Sequence, residues 1–270
     1  MWARRITVRG IGRRLIHIYS LIVAILLVYP TIQLFIVAVS DDIVFPPRYF
    51  SLQPFFELGA SFLGTIPFSV ALGVSTTLVL IALCLPMAYA MERIPFRGRN
   101  VMGVAIFLPF ILPGVGYMVA LGAAYILLFP ELIGSFIGVL IPVVIGNLVW
   151  MSRAVQGSLA TSDASYEDAA VMLGASRLRA FRSITLPQIA PGIAVGSMIV
   201  FANSTTAFVA PYFLGRPDSV TATVNIFNEL TLRGLDPRVA AQSLLVELVV
   251  MSLVLIGYLF SRKRFRGLII

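Results

Sequence analysis

The chain has 270 residues, 59% of them hydrophobic and only 12% charged, with a formal net charge of +8. Soluble domains carry about 25% charged residues, so an ordinary soluble domain is excluded and lipid is the main solvent of this chain. One cysteine, Cys84, and one histidine, His17, rule out an intrachain disulfide, a His/Cys metal cluster and a Ser–His–Asp site. The positive balance suits membrane orientation and anionic headgroups better than nucleic acid.

In chain order, residues 1–14 form a basic N-terminus carrying Arg4, Arg5, Arg9, Arg13 and Arg14. Six apolar spans follow, at 15–39, 66–91, 101–128, 133–151, 189–214 and 241–260, within one transmembrane domain over 15–261. The first has no small-residue cleavage site and is expected to stay as a membrane helix. The third is interrupted by Pro109 and Pro113, and "IPVVIG" interrupts the fourth at 141–146. Freed carbonyls there need partners on neighbouring helices or in a water-lined path. A basic tail, 262–270, closes the chain. The expected fold class is therefore all-α, a polytopic membrane protein.

Sixteen of the twenty cations fall on one side of this six-span arrangement; the exceptions are Arg48, Arg216, Arg233 and Arg238. Cytoplasmic loops are rich in Lys and Arg, so both termini are expected in the cytoplasm. The same side receives the polar segment at about 160–188. Ser165 followed by Asp168 resembles a capping box, Gly174 suits a helix stop, and Ser176 can cap a second helix. Leu178, Phe181 and Ile184 recur every three residues, and Leu186–Pro187 is expected to end that helix. An amphipathic element of this kind can lie on the inner leaflet, connect spans passively or insert into a partner's groove.

The stretch "DAAVMLGASRLRAFRSITLP" resembles the EAA loop of binding-protein-dependent ABC importer permeases. Ala169, Ala170, Gly174, Ile184, Leu186 and Pro187 match that pattern, and Asp168 stands where the family carries Glu. "LCLPMAYAMERIPFRGR" at 83–99 is similar to the family's second-span end and basic turn. The resemblance covers roughly residues 60–260 and implies the type I importer permease fold, with no catalytic residue. It implies a coupling helix, drawn from Asp168, Ala169, Ala170, Gly174, Ala175, Leu178 and Phe181, docked on a cytoplasmic ATPase dimer. It also implies a second permease subunit, a sister chain or this chain itself, a soluble solute-binding protein and a bacterial inner membrane. The chain itself binds no cofactor: ATP and Mg²⁺ belong to the partner ATPase. A P-loop needs a Gly-Lys-Ser/Thr run, and the only lysine here is Lys263 in the tail.

The second half resembles the polyamine, iron, thiamine and phosphonate group of these permeases. Thr205–Thr206 stands where polyamine permeases carry an acidic pair, which removes an attraction for polycations. Polar groups inside spans are expensive in lipid and face a bundle interior. Asn203, Ser204, Thr205, Thr206 and Glu247 are the candidate translocation-path residues, against the plainer reading that the hydroxyls bond their own helix backbone. An ion-gradient-driven secondary transporter is the alternative class. It calls for mid-span carboxylates, and the spans offer Glu247 alone.

Overall fold

The structure, a computed structural model, describes residues 3–44, 46–217 and 219–266, the side chains of 3–15 and 260–266 excepted. The side chains of the basic N-terminus and of the basic tail therefore lie outside the described residues. Among the described residues the regular secondary structure is helical apart from one isolated antiparallel bridge, Ser40 to Phe50. The helices are α1 (Ala3–Ala38), α2 (Gln53–Phe56), α3 (Ala60–Arg93), α4 (Arg99–Ala105), α5 (Leu108–Ile111), α6 (Gly114–Leu128) and α7 (Phe136–Thr161). They continue as α8 (Ser165–Met172), α9 (Arg177–Ala180), α10 (Leu186–Thr205), α11 (Val209–Leu214), α12 (Ala222–Arg233) and α13 (Pro237–Arg266). Among the described residues five stretches are long and apolar enough to cross a membrane, or six when the bent pair Arg99–Ile111 and Gly114–Leu128 counts as one.

The chain divides into two compact units, Ala60–Asn228 with Val246–Ile270, and Met1–Gly59 with Glu229–Leu245. The core of the larger unit is α7 packed on α3 and α10, with α3 also against α10. Leu80, Cys84 and Ala88 of α3 recur every fourth residue, as do Met151, Val155 and Leu159 of α7; Val144 of α7 and Ile189 and Val200 of α10 complete the cluster. This spacing makes one stripe on each helix. Lipid is as apolar as leucine, so close van der Waals packing, not water exclusion, holds such stripes together. Close packing needs small residues. Gly192 and Gly196 of α10 supply them: a Cβ on Gly192 would stand 2.1 Å from Ser158 Oγ and 2.6 Å from the Ala154 carbonyl. A second cluster joins Leu72, Met118, Tyr125, Val139, Val143, Ala210 and Leu214. The Ser219 hydroxyl donates to the Gly134 carbonyl at 2.8 Å, and the Ala222 N–H donates to Ser69 Oγ at 2.8 Å, fastening loops to this end.

In the smaller unit, Glu57 accepts from Gln53 Nε2 at 2.7 Å and pairs with Arg238. These two contacts hold its carboxyl below the usual carboxylate range.

The third span is broken at its prolines, as expected, and turns by 97° between Ile111 and Gly114. Leu112 is extended, as the residue before a proline prefers, and Pro113 starts α6; Pro109 sits harmlessly in the first turn of α5. Four expectations need correction. "IPVVIG" does not interrupt the fourth span, because α7 runs unbroken through Pro142. Nor does that span stop at Met151: α7 runs to Thr161, because its last turns bury Val155 and Leu159 on an otherwise polar stretch. The fifth breaks after Thr205, and α11 is separate. Leu186–Pro187 does not end a helix. Residues Phe181–Thr185 form a π turn in which the Leu186 N–H bonds the Phe181 carbonyl five residues back, and α10 follows without a break. A widened turn accommodates the proline ring, which a regular turn would press against the carbonyl four residues earlier.

Gly192→Val is expected to destabilise the purified protein by about 1–3 kcal/mol, the usual cost of overpacking a tight contact. A lower thermal unfolding midpoint in detergent or nanodiscs checks it.

Candidate functional site

The polar segment between α7 and α10 is built as a closed hairpin of two short helices. Asp163, not Ser165, starts the first: its Oδ1 accepts the Ser165 N–H at 2.9 Å, and this bond holds the Asp163 carboxyl below its ordinary range. Ser165 already lies in the first turn of α8, so it cannot act as the cap. Gly174 ends α8 with φ +91°, a left-handed value that glycine adopts freely. The Gly174 N–H bonds the Val171 carbonyl and the Ala175 N–H bonds the Ala170 carbonyl, both at 3.0 Å. That pair of bonds is a Schellman stop. Ser176 then caps α9 by accepting the Arg179 N–H at 3.4 Å.

The hairpin has an outer and an inner side. Met172 and Leu173 at its tip are 82% and 90% exposed, and Tyr166 and Leu178 are also open. Asp168, Ala169 and Gly174 are exposed, whereas Ala170, Ala175 and Phe181 are half-buried. Phe181 is therefore not part of the outer apolar knob. Its ring meets Tyr89 of α3 edge-on, with centroids 5.1 Å apart at 84°. Met172 and Leu173, not counted among the coupling residues in the sequence, form the knob at the tip, with Leu178 also exposed.

The inner side centres on Glu167, also missed by the sequence reading. Its side is buried, 7% exposed. The Tyr89 hydroxyl donates to Oε1 at 2.5 Å, and the Thr185 hydroxyl donates to Oε2. The signal was periodicity: Glu167 shares its helix face with Ala164, Ala170 and Val171, all at least half-buried, while its neighbour Asp168 stays exposed. Nearby, Arg93 at the end of α3 donates to the Ser162 carbonyl at 2.9 Å and to Ser162 Oγ at 2.6 Å, capping α7. A cavity of about 560 Å³ lies between the last turns of α3 and the hairpin; Tyr89, Arg93, Glu167, Asp168, Arg177 and Phe181 are among its lining.

The path candidates are dispersed rather than convergent. Ser204 and Thr205 are buried, at 0% and 1% exposure, and their hydroxyls have no hydrogen-bond partner. Thr205 lies against Gly73 of α3. Thr76, one turn along α3, also has a buried hydroxyl without a partner. Thr206, by contrast, bonds the Ala202 carbonyl at 2.9 Å, the ordinary backbone use of a helical threonine. Asn203 is exposed and Glu247 half-buried.

Comparison with known proteins decides the class. No protein-family model matches the chain. It is 32% identical over 205 residues to the molybdenum transport system permease protein ModB of Mycobacterium bovis, covering 70% of this chain and 75% of that one. The chain belongs to the permease subunits of ABC importers. The permease is also 28% identical over 138 residues to the sulfate transport system permease protein CysT of Salmonella typhimurium, covering 47% of itself and half of that protein's length. Within the class these relatives are named for molybdenum and sulfate, where the sequence resemblance pointed to the polyamine, iron, thiamine and phosphonate group. A solved bacterial alginate ABC transporter contains a chain with the same fold, at TM-score 0.72 and 18% identity, covering 95% of this chain and 97% of that one. The permease is thus a multi-pass membrane protein and a transport subunit, not an enzyme.

Gly174→Val is expected to loosen the hairpin stop by about 1–2 kcal/mol, the cost of the left-handed region for a residue with a Cβ. Nothing lies within 4 Å of a Cβ built there, so Gly174→Asn, which tolerates that conformation, should lose less. Amide hydrogen exchange over residues 165–180 that is fastest in the valine variant and intermediate in the asparagine variant, relative to the unsubstituted protein, checks the order.

Proposed function

We propose that this permease forms half of the translocation path of an importer in the bacterial inner membrane, with both termini in the cytoplasm. Its hairpin is the place where a separate ATPase dimer docks. The observation that carries this is the exposed Met172–Leu173 tip on a doubly capped turn, on the side that holds most of the arginines. A long apolar side chain left in water at a rigid turn suits insertion into a partner's groove. Arg177, Arg179 and Arg182 beside it suit an acidic rim on that partner. ATP and Mg²⁺ are then held by the ATPase, since the lone Lys263 leaves this chain without a P-loop.

The proposed cargo is a small inorganic oxyanion, handed over outside by a soluble binding protein to this permease paired with a second one, a sister chain or another copy. Two features support that class: the relatives named for sulfate and molybdenum, and the polar groups of the candidate path. Ser204 and Thr205 carry hydroxyls without a partner inside the protein, and Asn203 carries an exposed amide; such donors suit an oxyanion, which accepts hydrogen bonds, and Glu247 is the one acid among the path candidates. ATP-driven closure of the ATPases moves the docked hairpins together, and the path switches between inward- and outward-facing states.

Two outcomes test this. Leu173→Asp, which places a charge in the docked knob, is expected to reduce ATP-driven uptake in proteoliposomes at least about tenfold, with the permease still inserted; unimpaired uptake would overturn the docking role. Uptake by the reconstituted complex should be competed by sulfate or molybdate and not by spermidine; the reverse pattern overturns the cargo class.

A further inference from the structure

We propose that Glu167 is a positioning residue that fastens the hairpin to α3 and α10 at once, so that a push on the hairpin displaces both spans together. The proposal rests on the docking of the hairpin on an ATPase.

The geometry is a carboxylate used at both oxygens by two different elements. Oε1 takes the hydroxyl of Tyr89, on the last turns of α3. Oε2 takes the hydroxyl of Thr185, the residue before the start of α10. Both donors are held: the Tyr89 ring by Phe181, and Thr185 by its own burial at 2% exposure. The cavity beside Glu167 means that packed side chains do not fill the space between the end of α3 and the hairpin. Force between hairpin and α3 therefore passes through the Glu167–Tyr89 hydrogen bond together with the Tyr89–Phe181 ring contact. Charge-assisted hydrogen bonds of a carboxylate are about twice as strong as neutral ones and fix direction as well as distance, which suits a joint that must move without slipping. Glutamine at 167 keeps one acceptor oxygen; alanine keeps none and enlarges the cavity. The same α3–α10 pair carries Thr76, Ser204 and Thr205 further along, so the two spans joined at this foot are those that bear the buried hydroxyls of the candidate path.

The experiment uses the complete complex of permease, ATPase and binding protein in proteoliposomes. It compares Glu167→Ala, Glu167→Gln, Tyr89→Phe and Thr185→Val, reading ATP hydrolysed, cargo taken up and the cross-link of a Leu173→Cys hairpin to the ATPase. The expected result for Glu167→Ala is a retained cross-link, hydrolysis within about twofold of the unsubstituted complex, and uptake per ATP reduced about tenfold, in line with loss of a buried charged hydrogen-bond pair. Glu167→Gln and the two single-donor variants should fall between. Combining Tyr89→Phe with Glu167→Gln should cost less than the sum, because both act on one contact. Unchanged uptake per ATP in Glu167→Ala overturns the proposal. So do hydrolysis and uptake falling together with the amount of assembled complex, since that is a folding role only. An absent cross-link with Glu167 intact overturns the docking reading itself, and the inference with it.

Discussion

Backbone hydrogen bonding in lipid is the constraint on which the rest depends. A span that leaves the helix must satisfy its freed groups inside the protein. Where α10 ends, the Ala207 carbonyl accepts the Thr221 hydroxyl at 2.6 Å, and the Tyr212 N–H bonds the Phe208 carbonyl at 2.9 Å to start α11. At the bend of the third span, the Leu112 N–H still reaches Leu108 and the Tyr117 N–H reaches Pro113. Each departure is followed by a new helix, α11 after α10 and α6 after the bend of the third span.

The same accounting explains how a polar hairpin can sit on a greasy protein without loosening it. Its backbone is closed by Asp163, the Schellman stop at Gly174 and the Ser176 cap. Its one buried acid, Glu167, is paired at both oxygens. A buried carboxylate without partners would be strongly destabilising; with two hydroxyls it becomes a fixed point. The apolar residues are then free to face outward at the tip, where a monomer gains nothing from them.

Much of this was legible in the sequence. Apolar runs located every span, Gly174 and Ser176 marked the hairpin turn, and the EAA-like pattern gave the class. What escaped notice has physical reasons. Hydropathy sees length of apolar run, so it truncated α7, whose last turns are amphipathic rather than apolar. The capping pattern at Ser165 and Asp168 is one residue pair among several in a stretch rich in Ser and Asp; Asp163 wins because α8 starts at Ser165 itself. Asp168 drew attention through the family pattern, while its neighbour Glu167 occupies the buried face. The hydroxyls of the candidate path split between roles that composition cannot separate: Thr206 bonds its own helix, Ser204 and Thr205 do not.

The proline at 187 is the clearest case of a local rule overruled for a mechanical reason. Read alone, Leu186–Pro187 ends a helix and inserts a flexible joint between hairpin and span. Instead the π turn at Phe181–Thr185 absorbs the missing N–H and carries the helical path from Arg177 through Thr205. Wide turns of this kind are rare and concentrate at functional positions. Here the turn holds Phe181 against Tyr89 and presents Thr185 to Glu167. A flexible joint would have dissipated any displacement of the hairpin before it reached α10. On the proposed docking, a continuous helix with its foot pinned to α3 would pass that displacement on, so the departure from regular geometry and the buried carboxylate would serve one end, with the hairpin and the two spans moving as a single lever.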